Sequence, residues 1–330
     1  MQRREFIIGI AASTSWPLVA RGQQAIGPGA KIPRLGILMP SESSTNLQAF
    51  ESGLRALGYI EGQNIFIERR YGDPKGEQLR GLADELIKLK VDVILAWSTP
   101  VALAAQQATS TVPIVGAVMA DPVNDGLVAS LARPGGNITG TSFLGPELVA
   151  KRLQLFREVI PKLSRVAALW HPHAYGERTM ASMSKEVEAS ARKLGMEIQF
   201  VPAANPDELN GAFSKITEEH AEAFIVLPSP MLFSQYKRIV VFAASNRLPA
   251  VYQAREFVDA GGLMSYGANL AELFRSAAPF VDKIFKGAKP SELPVEQPTR
   301  FELVVNLKTA KDLGLTITRE FLLITDEVIE

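Results

Sequence analysis

Polar and aromatic side chains gather where apolar runs of this chain stop, and most of those stops contain a proline. The run Ile114 to Val118 stops at Met119-Ala120-Asp121-Pro122. Val93 to Ala96 stops at Trp97-Ser98-Thr99-Pro100, and Phe224 to Leu227 at Pro228-Ser229-Pro230. Arg165 to Trp170 stops at His171-Pro172-His173-Ala174-Tyr175. Pro249 to Tyr252 runs into Gln253-Ala254-Arg255-Glu256, and Arg34 to Met39 into a polar loop containing Ser41 and Ser44. Asp121 can hold an ammonium or hydroxyl, or cap the backbone ahead of Pro122. Ser98, Thr99 and Ser229 can meet a ligand or cap helices. Trp97, Tyr175, Tyr252 and Tyr266 can stack on a flat ring, or simply pack. Gln253 and Glu256 can add polar contacts. This is chemistry suited to capture.

Turnover is poorly provided for. There is no phosphate loop of the G-x-x-x-x-G-K type, no H-E-x-x-H and no G-x-S-x-G elbow. An acid–base site would have to draw on Asp121 and Glu256 with His171 opposite. His171 and His173 lack a third metal ligand nearby in sequence, so neither a metal nor any other cofactor is expected. With 35 basic and 35 acidic residues there is no broad basic footprint for nucleic acid. The absence of cysteine excludes disulfides, thiol catalysis and a lipidated amino-terminal cysteine.

These residues need strands and helices to place them. The stretch from Pro113 to Phe143 reads as strand, loop, helix, turn and strand, with the helix over Asp125 to Ala132 and Asp125 as its cap. Apolar residues at helical spacing recur in 46–57, 77–89, 178–194 and 269–285. Short apolar runs between turn signals suit strands buried on both faces of a parallel sheet. In such sheets ligands sit beyond the carboxyl ends of the strands. The pattern also repeats. Asp92 to Pro100 is echoed by Ala223 to Met231, Arg34 to Leu38 by Arg165 to Leu169, and Pro113-Ile114 by Pro249-Ala250. The chain therefore reads as two similar α/β units facing each other.

Residues 1–24 stand apart. Arg3-Arg4 precedes an uncharged segment from Phe6 to Ala20, shorter than the ~20 residues that span a bilayer. Small residues at Ala20 and Gly22 suit cleavage, so an export signal of twin-arginine type and a periplasmic destination are expected.

Three stretches then carry a resemblance: DPVNDGLVASLARPGGNITGTSF, RLPAVYQAREFVDAGGLMSYG and LPVEQPTRFELVVNLKTAKDLGLTI. Together they resemble the ABC-transporter substrate-binding protein family, and within it the branch with tryptophan- and phenylalanine-binding members. The resemblance runs from about Ile32 to Ile317. It implies the type I periplasmic binding fold: two Rossmann-like α/β lobes with parallel sheets, three crossing segments and an interlobe cleft. Crossings are expected near Thr141 to Phe143, Asp259 to Gly261 and Gly287 to Pro298. That assigns 32–142 plus 262–288 to the first lobe and 143–261 plus 289–330 to the second. It also implies a monomer that captures an amino acid or aromatic solute and passes it to an inner-membrane ABC permease. A sensory subunit on the same fold is the alternative; an enzyme on it is the remote one. His171-Pro172-His173 stands where relatives often carry an Asn-Pro loop, which bears on which ligand is taken.

Overall fold

The computed structural model describes residues 31–40, 45–72 and 77–330. The segment read as an export signal, and Ser41 and Ser44, lie outside them. The first sheet is built from β1 (Arg34–Met39), α1 (Thr45–Ala56), β2 (Phe66–Tyr71), α2 (Glu77–Lys88), β3 (Val93–Trp97), α3 (Thr99–Ala108), β4 (Ile114–Met119) and β5 (Ile138–Ser142). Its order is β2-β1-β3-β4-β5, all parallel. The second half contributes α4 (Val149–Val159), β6 (Arg165–Trp170), α5 (Glu177–Lys193), β7 (Glu197–Pro202), α6 (Leu209–Glu218), β8 (Ala223–Val226), α7 (Pro230–Ser234), α8 (Tyr236–Ser245), β9 (Ala250–Tyr252), α9 (Arg255–Asp259) and β10 (Met264–Gly267). Then come α10 (Leu270–Phe285), β11 (Glu302–Asn306), α11 (Leu307–Asp312), α12 (Arg319–Leu323) and β12 (Glu327–Ile329). The second sheet runs β12-β11-β10-β9-β8-β6-β7, and only the β10–β11 pair is antiparallel.

Strand alternation divides each lobe's core into two layers. Leu35, Ile37, Val93 and Leu95 face one side of the first sheet, while Leu38, Ile94 and Ala96 face the other. Val166 and Ala168 face one side of the second sheet, and Ala167 and Leu169 the opposite one. Every one of these side chains is almost wholly buried. Both faces are covered by helices, which is why the strands read as unbroken apolar runs rather than alternating ones.

Three expectations need correcting. Asp125 to Ala132 is a series of turns, not a helix. Asp121 takes the neighbouring backbone for itself: its Oδ1 accepts from Asn124 N and its carbonyl from Asp125 N. Short acidic side chains compete with helix in this way. The second crossing is not at Asp259 to Gly261, because β10 pairs with β9 and β11 and so belongs to the second lobe. The chain returns to the first lobe only after Gly267, where α10 packs on α1 and β4. The third crossing starts at the end of its expected range, and the lobe boundary expected at 288 moves later. Val295 N donates to the Leu131 carbonyl and Glu296 bridges Thr141, so residues through 296 stay with the first lobe. The edge strand β12 was not foreseen; its two exposed residues and short length leave no periodic signal.

Candidate ligand-binding site

A cavity lies between the lobes at the carboxyl ends of strands from both sheets. The first lobe supplies Trp97 and Ser98 from the end of β3, Val118 from β4, and Leu270 from the start of α10. Phe143 enters from the first crossing. The second lobe supplies Tyr175, the Pro228-Ser229-Pro230 turn, Phe233 and Gln253.

Each part is held by identifiable contacts. Trp97 meets Phe274 edge-on, with centroids 5.1 Å apart. Tyr175 donates its hydroxyl to the Pro228 carbonyl and tilts against Phe143 at 6.4 Å. Burial pushes its phenol far above the ordinary range, so it acts only as a neutral donor. Ser229 caps α7 by accepting from Leu232 N at 3.2 Å, and its hydroxyl lies 3.3 Å from His171 Nδ1. Gln253 is 6% exposed, and its Oε1 has no hydrogen-bond partner. A buried carbonyl left open is costly, by about 1–3 kcal/mol. On the wall of a cavity it is a ready acceptor for a solute N–H or O–H.

Backbone strain collects at the same place. Ser98 has φ 86° and ψ 161°, Val118 φ 60° and Leu144 φ 55°. Among the described residues the other positive-φ non-glycine ones, Lys90, His220 and Arg247, sit two residues past helix ends, where a left-handed residue is ordinary. A β-branched residue there is a true outlier. The cause at Val118 is a bulge: the β4–β5 register shifts between Gly116 and Met119, and Val118 N donates to Thr141 Oγ1. Bulges re-aim side chains beside binding sites. Ser98, one of two candidate caps for α3, makes no side-chain capping bond.

Among the sequence-chosen residues, Trp97, Ser98, Tyr175, Ser229 and Gln253 line the wall. The others do not. Thr99 Oγ1 is spent on Ala120 N at 2.9 Å, joining the ends of β3 and β4. Asp121 holds its own turn. His171 stands behind Ser229. Glu256 is half-buried near Asp259 and Glu302, its carboxyl pushed up by burial first and by those charges next. Tyr266 packs on Phe301, and its carbonyl accepts from Arg152 Nε. Val118, Phe143, Phe233 and Leu270 were missed. Phe143 could have been noticed as an aromatic at an expected crossing; nothing in the residue types announces the Val118 bulge.

No charged side chain lies on this wall, and no group of three potential metal ligands occurs, among the described residues. A second hollow, by Arg165, Glu197 and Glu219, is at the strand-start end of the second sheet, away from these loops. The arrangement suits a flat, largely apolar solute held by a few neutral hydrogen bonds.

Comparison with known proteins agrees. Residues 40–329 match the model of the ABC transporter substrate binding protein family, and this chain belongs to that family. It is 26% identical over 269 residues to a tyrosine-binding protein of Clostridioides difficile, covering 81% of this chain and 76% of that one. It superposes on a Streptococcus pneumoniae ABC domain in complex with L-Trp with TM-score 0.81 and 25% identity, over 91% of this chain and 100% of that one. A conserved domain protein of Vibrio cholerae gives TM-score 0.82 at 27% identity, over 90% and 100% of the two chains. The fold is the two-lobed type I periplasmic binding fold.

Proposed function

We propose that this chain is an exported receptor that captures one small amino acid or aromatic compound between its lobes and delivers it to an ABC importer. The observation that carries this is the cavity itself. It is walled by Trp97, Phe143, Tyr175 and Phe233, and by Gln253, whose buried Oε1 has no hydrogen-bond partner. Aromatic walls with few, placed polar groups are what bind flat small molecules. Named relatives take tyrosine and tryptophan, which supports a solute of that class. In this reading the strand ends of both lobes grip one solute, and the importer's permease in the inner membrane engages the closed monomer. The amino-terminal Arg3-Arg4 segment directs export to the periplasm.

Micromolar capture corresponds to about −8 kcal/mol. Calorimetry and thermal shift on the chain from Ile32 onward test the reading, with L-tyrosine, L-tryptophan, L-phenylalanine and 4-hydroxybenzoate. One of these raises the melting point and binds one-to-one, unchanged after recovery. Silence across that panel, or chemical conversion of the bound compound, counts against the proposal. Export is tested separately: a reporter fused to residues 1–31 reaches the periplasm, and R3K/R4K holds it in the cytoplasm.

A further inference from the structure

The longest helix of the second lobe starts without a cap of its own. α5 follows Gly176, an extended residue (φ −65°, ψ 156°) with no side chain to offer. The first N–H groups of any helix lack partners inside it. Here two are met from the other lobe. Asp125 Oδ2 accepts from Gly176 N at 3.2 Å, and Asp125 Oδ1 from Thr179 N at 3.3 Å. A capping box makes this pair of bonds with two side chains of the helix's own segment; one carboxylate makes both here. Asn124 Nδ2 adds a contact to Thr179 Oγ1 at 3.4 Å, and Thr179 is 2% exposed. A Cβ at position 176 would sit 2.3 Å from Asp125 Oδ1, so only glycine admits the approach. The carboxylate also faces the positive end of the helix dipole.

The two sides of this contact belong to different lobes. Asn124 and Asp125 lie between β4 and β5 of the first sheet, on the turn pinned by Asp121. α5 packs on α4 and β7 of the second. We propose that Asp125 sets lobe closure: it caps α5 only when the lobes are shut, and so favours the closed form without touching the solute. This rests on reading the chain as a two-lobed receptor. Apparent affinity scales with the fraction of molecules in the competent state, so a residue that touches no ligand changes affinity through that fraction.

The chain has no cysteine, so A129C/S182C places one spin label on each lobe, at exposed positions beside the contact. Distance distributions are recorded for the labelled chain, and for its D125A, D125N and G176A versions, each with and without L-tryptophan. In the parent a short-distance population is expected. It falls about tenfold in D125A, which loses both bonds, and in G176A, which blocks the approach from the other side. D125N keeps one of the two acceptor oxygens and a population between those of the parent and D125A. Thermal melts within a few degrees of the parent show that each variant is folded. Identical distributions in the parent and D125A overturn the proposal, as does a parent with no short-distance population. A parent that shows the population yet binds no solute in calorimetry removes the receptor reading and leaves the role of Asp125 standing.

Discussion

Gln253 and Asp125 show how much one side chain decides here. The Gln253 oxygen is buried without a partner, so replacing it removes a cost to the fold and a contact for the solute together. Gln253→Leu is expected to melt at or above the parent temperature while solute affinity falls about tenfold, or 1.4 kcal/mol. A loss of stability with affinity intact would show that the oxygen has a structural partner. Asp125 responds to pH. Burial pushes its carboxyl up most and the charge of Asp121 adds to this, while bonds from Thr179 and Gly176 pull it down. Tyr175, also near, stays neutral, and Glu177 and Arg178 in the first turn of α5 are exposed. Its closed-state pKa lies above that of an open, hydrated carboxyl. The pH-dependent part of its contribution to closure is therefore full below the open-state value and is lost as pH rises through the closed-state one, while the two bonds it accepts remain. Solute affinity should rise as pH falls through the raised closed-state value, and D125N should flatten the profile. A D125N profile as steep as the parent's would assign the slope to another group.

Among elements, α10 is the one that ties the returning chain to the first lobe. It contains Pro279, which cannot donate to the Arg275 carbonyl one turn back. Gly53 of α1 lies against that carbonyl: a Cβ there would come within 2.8 Å of Arg275 O and 2.9 Å of Ala278 Cβ. The two irregularities fit each other, and they let α1 and α10 approach closely. Gly53→Leu should lower stability by about 1–3 kcal/mol through overpacking, read as a lower urea midpoint with an unchanged slope. An unchanged midpoint would mean the helices can part without loss. α5 shows the complementary case: a helix whose start is completed by a loop of the other lobe.

At the scale of the molecule, the crossings decide how two lobes act as one. Arg152 is 1% exposed and donates Nε to the Tyr266 carbonyl at 2.7 Å and Nη1 to the Gly145 carbonyl at 3.2 Å. It thus joins the first crossing to the strand that leads into the second. Burial lowers its guanidinium to about 10, and it remains a cation at neutral pH. Arg152→Met keeps the apolar stem and leaves two carbonyls open, so a loss of about 2–5 kcal/mol is expected. Calorimetric melting checks it, and a shift of less than about two degrees would show the clip to be dispensable.

The apolar runs and their polar stops were enough to read the α/β class, the doubled architecture and the strand-end position of Trp97, Ser98, Tyr175, Ser229 and Gln253. Those follow from local rules: buried parallel strands need continuous apolar residues, and their exits need turn residues. What the local rules could not reach was set by contacts between distant segments. Asp121 reads as a ligand for a cation, yet its own turn takes it. Asp125 reads as the cap of a helix on its own loop, and it caps one in the opposite lobe instead. Val118 reads as one more core valine until a bulge against β5 turns it. Met264 to Gly267 reads as part of the first lobe until hydrogen bonds to β9 and β11 hold it in the second. In each case a hydrogen-bonding group had more than one available partner, and only the packed chain chooses among partners far apart in sequence.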